Sequence, residues 1–146
     1  QIQKLISENK LEILREYLQI KIKNQQLNTT LIIDHGLGGG ANHYIDESIE
    51  KRVKNGEMLI LLRYDFNVLK VYTIHFLALD LDYKFSVSNS VEIFEMLSNL
   101  KINEIFINSL VSYPNVHEMI SEIIYLQEKI NSNTFFCSFL LICIKR

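Results

Sequence analysis

The feature of this sequence that most constrains its fold is a glycine-rich turn. Four of the five glycines fall between Gly36 and Gly40, inside the segment "LIIDHGLGGGANHYIDES". The apolar run before them is typical of a buried strand, and the apolar positions after them recur at helical spacing. A second apolar run, "EMLILLRY", comes directly after Gly56. Strand, turn, helix and strand predict a βαβ unit, whose two strands lie parallel in one sheet.

The remaining patterns extend this unit in both directions. Residues 2–24 predict an amphipathic helix, and residues 69–88 predict two edge strands in which apolar and polar residues alternate. A further helix follows, with Ser90 as its expected N-cap. Apolar runs at 104–110 and 134–146 predict two more strands, which a helix separates.

This order of elements predicts an α/β fold with a Rossmann-like, doubly wound and mainly parallel sheet. We expect helices on both faces of the sheet, an extra hairpin at its edge and a helix at the N-terminus. Residues 1–28 are interpreted as this amphipathic helix and a linker. Residues 29–146 are interpreted as the Rossmann-like domain, which we expect to be incomplete because no helix pattern follows the last strand.

Composition narrows the class of protein. Of 146 residues 48% are hydrophobic, and the net charge of -2 argues against a broad nucleic-acid-binding surface.

Cys137 and Cys143 are expected to be buried thiols in a reducing compartment, because along one strand they would lie about 20 Å apart, too far for a disulfide. The longest apolar stretch, 135–144, is too short to cross a bilayer. We therefore expect a cytoplasmic protein, either free or at the inner face of the cell membrane.

The glycine turn predicts a place where a ligand approaches the backbone. Gly38, Gly39 and Gly40 carry no side chains, so a ligand can touch the main chain there. The first turn of the following helix, which includes Asn42, offers free N–H groups and the positive end of the helix dipole. The expected ligand therefore presents a phosphate, a carboxylate or a sugar hydroxyl.

Known glycine-rich motifs are either excluded here or left open. A Walker A loop needs Gly-Lys-Ser/Thr after its glycines, and an esterase needs a G-x-S-x-G elbow; this sequence has neither. Residues 36–41 do satisfy a relaxed G-x-G-x-x-G/A motif, and Asp65 lies near the distance expected for an acid that binds a ribose. A dinucleotide-binding domain of an oxidoreductase therefore remains an alternative.

Polar residues at the ends of the predicted strands are further candidates. His35 ends the first strand, and Asn108 lies near the carboxyl end of a later core strand, where ligands bind in such sheets. Arg63 closes the second strand and would either bind a phosphate or form a surface ion pair. Asp34 is expected on the opposite face from His35, so the two are not interpreted as a catalytic pair. No two histidines share metal-ligand spacing with a carboxylate, so we predict no metal and no cofactor.

Three motifs taken in order resemble a known family. They are a strand that ends in "HGLGGG", a second strand that ends in "LLR", and the segment "IFINSLVSYP" before a helix. Together they resemble the N-terminal domain of GT-B glycosyltransferases, and in particular the bacterial enzymes that build surface polysaccharides. The resemblance covers about residues 29–130.

The resemblance implies a function and a site. It implies transfer of a sugar from a nucleotide-sugar donor to a glycan acceptor, without a tightly bound metal, and it assigns this chain to the acceptor side. The glycine turn would lie near the acceptor and the donor's phosphates. Gly38, Gly39, Gly40 and Asn42 would then contact substrate, and no catalytic residue is assigned.

The sequence departs from this family in its last strand. Such proteins usually continue with a His-Asp-Tyr-like segment and then a second domain that binds most of the donor, whereas "CSFLLICIKR" lacks the His-Asp pair. We therefore expect a truncated glycosyltransferase that is inactive alone and lacks its C-terminal domain. The alternative is a non-catalytic Rossmann-like module that binds a nucleotide or a partner protein.

Overall fold

Six strands in one sheet and four helices make up the part of the chain that the computed structural model describes, residues 11–36, 40–65, 70–130 and 133–136. The first half of the chain forms α1 (Leu11–Gln25), β1 (Thr29–Ile33), α2 (Gly40–Lys54), β2 (Met58–Asp65) and β3 (Val71–Ala78). The second half forms β4 (Leu81–Val87), α3 (Ser90–Leu97), β5 (Glu104–Ile107), α4 (Val116–Ile130) and β6 (Asn133–Phe136).

The sheet grows outward from β1. Its strand order is β4-β3-β2-β1-β5-β6. β1 pairs in parallel with β2 on one side and with β5 on the other, and β6 lies parallel to β5 at the edge. The pairs β2–β3 and β3–β4 are antiparallel. The predicted βαβ unit is therefore present as β1, α2 and β2.

The prediction of a doubly wound, mainly parallel, Rossmann-like sheet is wrong. Two of the five neighbouring strand pairs are antiparallel, and each aligns seven residues, whereas the parallel pairs align four or five. The alternating pattern of β3 buries every second residue, which lets this strand pair along most of β2. The hairpin is therefore a full part of the sheet, and the fold is α/β with a mixed sheet.

The two faces of the sheet are covered unequally. On one face, α1, α3 and α4 pack against the strands and enclose the larger hydrophobic core. On the other face, α2 closes a smaller core formed by Ile32, Ile45, Ile49, Leu59 and Leu61. Removal of this apolar surface from water is the main force that holds the layers together. The helix that follows the glycine turn is the one described helix on its face of the sheet.

Apolar and ionic contacts fasten α1 to the sheet. Its residues Leu14, Leu18 and Ile22 are buried in the larger core. The Lys21 Nζ lies 2.5 Å from Asp80 Oδ1 in the turn between β3 and β4, and this hydrogen bond is the main cause that lowers the pKa of Asp80. α1 corresponds to the predicted helix 2–24 over its described part, and residues 1–10 lie outside the described residues.

Two helix ends follow local backbone chemistry. Ser90 begins α3, but the N-cap is Asn89, whose Oδ1 accepts a hydrogen bond from the Val91 N–H at 2.8 Å. The prediction of Ser90 as the cap was therefore wrong by one residue, because asparagine caps a helix as well as serine does. Gly56 follows α2 with φ of 89°, the left-handed conformation that commonly ends a helix.

The last predicted strand is described only in part. β6 covers 133–136, and Cys137 and Cys143 lie outside the described residues, so the interpretation of both thiols stays a prediction. Across the described ranges, every helix is too short or too polar to cross a membrane.

Candidate functional site

The candidate site lies where β1 and β5 end. After β1 the chain passes through α2 to β2 on one side of the sheet, and β5 lies on the other side of β1. The connections that follow these two strands therefore leave in opposite directions. In open α/β sheets this arrangement creates a crevice outside the carboxyl ends of the strands, where ligands bind. The glycine turn begins directly at this point.

A buried carboxylate joins the strand ends at the site. Asp34 follows β1 and has no solvent exposure. Its Oδ2 accepts hydrogen bonds from the Nε and Nη2 of Arg63 at 3.3 and 3.0 Å, and its Oδ1 accepts one from Asn108 Nδ2 at 2.9 Å. A buried carboxylate is tolerated when a charged partner and hydrogen bonds replace its water. Asp34 has both, and it thereby connects the ends of β1, β2 and β5.

The backbone after Asp34 approaches β2 so closely that position 36 requires glycine. A Cβ on Gly36 would lie 2.1 Å from the carbonyl oxygen of Tyr64. The Gly36 N–H donates a hydrogen bond to the Oγ of Ser112 at 3.0 Å, and Ser112 is buried in the loop after β5. The start of the glycine turn is therefore held between the end of β2 and the loop after β5.

Three tyrosines support the site from the side of the larger core. The rings of Tyr64, Tyr72 and Tyr113 have centroids 4.8 to 6.1 Å apart. The Tyr113 hydroxyl donates to the Leu62 carbonyl oxygen at 3.0 Å. Burial raises the pKa of Tyr113 well above its usual range, and the negative charge of Asp34 raises it further. Tyr113 therefore stays neutral and acts as a fixed hydrogen-bond donor.

His35 and Asn108, both predicted from strand ends, lie beside Asp34. The Nε2 of His35 is 3.9 Å from Asp34 Oδ1, and the His35 side chain is 10% exposed. The Asn108 N–H donates to the Ile33 carbonyl oxygen at 2.8 Å, which extends the pairing of β1 with β5 by one step. The structure thus brings these two predicted residues into one cluster, and their role in ligand binding stays a prediction.

The glycines of the turn are described only in part. Gly40 is the first residue of α2, and Asn42 lies in the first turn of that helix. Gly38 and Gly39 lie outside the described residues. The first turn of α2 contains no acidic residue, whereas its last turn carries Lys51, Arg52 and Lys54. The helix's own side chains therefore do not neutralise the positive end of its dipole.

The contacts of Arg63 bear on its two interpretations, a phosphate-binding residue or a member of a surface ion pair. Arg63 forms ion pairs with Asp34 at 3.0 Å and with Asp46 at 3.2 Å, so the ion-pair alternative for this residue is the one observed. The expectation that Asp34 and His35 lie on opposite faces assumed that both residues belong to β1. β1 ends at Ile33, and the alternation of side chains therefore stops before both residues. Asp65 is the last residue of β2, as the dinucleotide alternative requires.

Ser112 and Tyr113 are site residues that sequence reasoning missed. Both lie in the loop between β5 and α4. Their hydrogen bonds reach residues 76 and 51 positions away along the chain. No local pattern marks a contact of this range, because it depends on the strand order. The one indication in the sequence is the acidic residue Asp34 at the end of an apolar run, because a buried carboxylate needs polar partners.

The described contacts fix the geometry of this candidate site. Its backbone, amide and hydroxyl groups bond to one another and to the strands, and they hold the strand ends in place next to the start of α2. Within the described ranges, no cluster of three or more His, Cys, Asp or Glu side chains is arranged to hold a metal ion. Comparisons with known protein families, curated proteins and solved structures found no match to this chain. The function must therefore be argued from the site and the sequence motifs.

Proposed function

We propose that this chain is the acceptor-side part of a glycosyltransferase and binds an anionic, hydroxyl-rich substrate at the carboxyl ends of β1 and β5. The observation that carries the proposal is the meeting of His35, Gly36 and Asn108 around buried Asp34, directly before α2. A nucleotide-sugar presents a diphosphate, and a glycan presents hydroxyls. Both kinds of group hydrogen-bond to backbone N–H and amide donors.

The dipole of α2 favours an anion at the start of this helix over a cation. Asp34 is the buried acid of the cluster, and Arg63 and Asn108 already bind its oxygens. The first turn of α2 adds the positive end of a helix of 15 residues and contains no acidic residue of its own. Negative charge that develops on a diphosphate leaving group would be stabilised at such a position.

Two motifs of the resemblance meet at this site. "HGLGGG" follows β1, and "IFINSLVSYP" contains the last three residues of β5 and the loop that supplies Asn108, Ser112 and Tyr113. The mixed sheet removes the Rossmann-like fold from the argument, so the proposal rests on the site and on these motifs. The family implies a second domain that binds most of the donor. We therefore expect this site to bind a nucleotide weakly.

Isothermal titration calorimetry with uridine diphosphate, guanosine diphosphate and NAD tests the proposal. We expect saturable binding of at least one nucleoside diphosphate and none of NAD. Binding of NAD alone would contradict the proposal in favour of the dinucleotide alternative. The absence of binding to any of the three would also contradict it, because the site would then hold no nucleotide.

Two matched variants separate ligand binding from folding. Gly40→Asp adds a carboxylate at the first residue of α2, where it stabilises the helix by about 0.3–1 kcal/mol and repels an anion. We expect binding to be lost while the melting temperature stays the same or rises. Asn55→Asp adds the same charge at an exposed residue next to Gly56, at the amino end of the sheet, and we expect unchanged binding. Unchanged binding in Gly40→Asp would contradict the proposed place of the ligand.

A further inference from the structure

The outer surface of α1 carries an apolar stripe that the fold does not use. Leu14, Leu18 and Ile22 face the core, while Ile13, Tyr17 and Ile20 on the opposite side are 46%, 45% and 60% exposed. These three residues recur at intervals of four and three, so they form one continuous stripe along the helix. Apolar residues that line up on a surface helix, rather than being scattered, mark an interaction surface.

The charges beside this stripe are arranged in a definite order. Glu12 and Glu16 lie near the start of α1, Lys23 lies in its last turn, and all three are exposed. At 100° per residue the three side chains project from the same flank of the stripe. The flank therefore changes from acidic to basic along the helix.

We propose that α1 binds the α1 of a second copy of this chain, antiparallel, through the stripe Ile13, Tyr17 and Ile20. A two-fold axis between antiparallel helices sets each flank against the same flank of the other copy, in the reverse direction. Glu12, which also pairs with Arg15 of its own helix at 3.2 Å, then lies opposite Lys23 of the second copy, and the same contact forms again at the other end. The flank is therefore complementary to itself.

The alternatives fit the stripe less well. A parallel pair related by a two-fold axis would set this flank of one copy against the opposite flank of the other, so Glu12 and Lys23 would not face each other. An anionic membrane surface favours a uniformly basic flank, and Glu12 and Glu16 oppose it. The antiparallel pair alone matches both the apolar stripe and the order of the charges.

A hollow beside the stripe offers room for a side chain of the second copy. It has a volume of about 260 Å³, lies between α1 and the turn after β3, and is lined by Tyr17, Ile20, Lys21, Asn24, Gln25 and Asp80. With Glu12 opposite Lys23, Ile13 of the second copy lies at the level of Ile22, about 3 Å along the helix from Ile20 and next to this hollow. Apolar contact at the centre and ion pairs at the ends together resemble the usual anatomy of an interface.

Sedimentation equilibrium of the full chain over a range of concentrations tests the proposal. One helix face is smaller than the ~800 Å² per partner of a standard interface, so we expect a concentration-dependent dimer. Ile20→Glu is expected to raise the dissociation constant more than tenfold. Ile124→Glu, which adds the same charge at a residue 44% exposed on α4, is the control and should leave it unchanged. Glutamate is a good helix former, so both variants should fold, which circular dichroism checks.

A charge exchange distinguishes the antiparallel dimer from any other association. Glu12→Lys and Lys23→Glu are each expected to weaken the dimer several-fold, because each sets like charges opposite one another. The double variant E12K/K23E should restore the affinity of the natural chain. A chain that stays monomeric at about 1 mM, an unchanged dimer in Ile20→Glu, or a double variant as weak as the single ones would each overturn the proposal.

Discussion

The two ends of the sheet each carry an arginine network, and the networks differ in burial. At the carboxyl end, Arg63 and Asn108 bind Asp34, whose side chain has no solvent exposure. At the amino end, the Arg52 Nη2 lies 2.7 Å from Glu57 and 3.7 Å from Glu104, carboxylates that are 21% and 34% exposed. Arg52 also donates to the Thr30 hydroxyl at 2.9 Å. Both networks therefore connect β1, β5 and the start or end of β2.

This difference in burial distinguishes a structural network at the amino end from the candidate site at the carboxyl end. Glu57 raises the pKa of Arg52, chiefly through its hydrogen bond, but water screens much of the interaction. The amino-end network can therefore adapt, and it serves to hold α2 and the strands together. Asp34 has no water to replace a lost partner, so its geometry is fixed. A fixed polar cluster next to a glycine turn is what a binding site requires.

Removal of the buried carboxylate should have the largest effect. Asp34→Ala leaves Arg63 with one exposed partner and removes the acceptor of Asn108, and we expect a loss of about 3–5 kcal/mol in the free energy of unfolding. Asp46→Ala removes the other partner of Arg63. The Asp46 side chain is 56% exposed, so the free energy of unfolding should fall by less than about 1 kcal/mol. Urea unfolding measures both. Equal losses would show that burial does not distinguish the two contacts.

Two glycines at opposite ends of the sheet should respond differently to alanine. A Cβ on Gly36 meets the backbone of Tyr64, which cannot move without disturbing β2, so Gly36→Ala should cost about 3 kcal/mol or more. At Gly56 nothing lies within 4 Å, but φ is 89°, so Gly56→Ala should cost about 1–2 kcal/mol. Thermal unfolding compares the two. A larger loss at Gly56 would contradict the close approach at the carboxyl end.

The tyrosine under the site should have a smaller effect that depends on pH. Tyr113→Phe removes the hydrogen bond from the tyrosine hydroxyl to the Leu62 carbonyl oxygen, which still accepts one from the Asp34 N–H. We expect the free energy of unfolding to fall by about 1 kcal/mol near pH 7. Burial raises the pKa of Tyr113 in the folded state, so its stabilising contribution is complete below pH 10 and is lost as the pH rises beyond that value. Unfolding measured from pH 8 to 11 should therefore show a shallower decline in Tyr113→Phe. An identical decline in both proteins would refute this.

The amino-end network should give the smallest change. Arg52→Met keeps the aliphatic stem and removes the guanidinium, and we expect a loss of about 1 kcal/mol because the group is partly exposed. Lys54→Met removes a cation whose pair with Glu50 is 73% and 70% exposed, and it should have no measurable effect. Denaturant midpoints give both values. A cost for Arg52→Met as large as that for Asp34→Ala would remove the contrast between the two ends.

The sequence predicted local elements well and the sheet poorly. The strand before the glycines, the helix after them and the stop at Gly56 follow from apolar spacing and backbone chemistry, which act over a few residues. The extent of antiparallel pairing between β2 and β3 does not follow from spacing, because an alternating strand can pair in either direction.

The positions of two candidate residues were predictable, because both come directly after a predicted strand. His35 and Asn108 follow apolar strands, and the rule that ligands bind at carboxyl ends selected them. The role of Asp34 was not predictable, because its partners Arg63 and Asn108 come from strands on both sides of β1. The contact of Ser112 with Gly36 was not predicted for the same reason, because it depends on the order of the strands in the sheet.

Amide chemical-shift mapping of uridine diphosphate by NMR tests the central claim most directly, which is that the carboxyl ends of β1 and β5 form the binding site. We predict that the largest shifts fall on Gly36, Gly40 and Asn108, while the amides of Glu57 and Glu104 at the opposite end stay unchanged. Largest shifts at Glu57 and Glu104, or no shifts anywhere, would contradict the account.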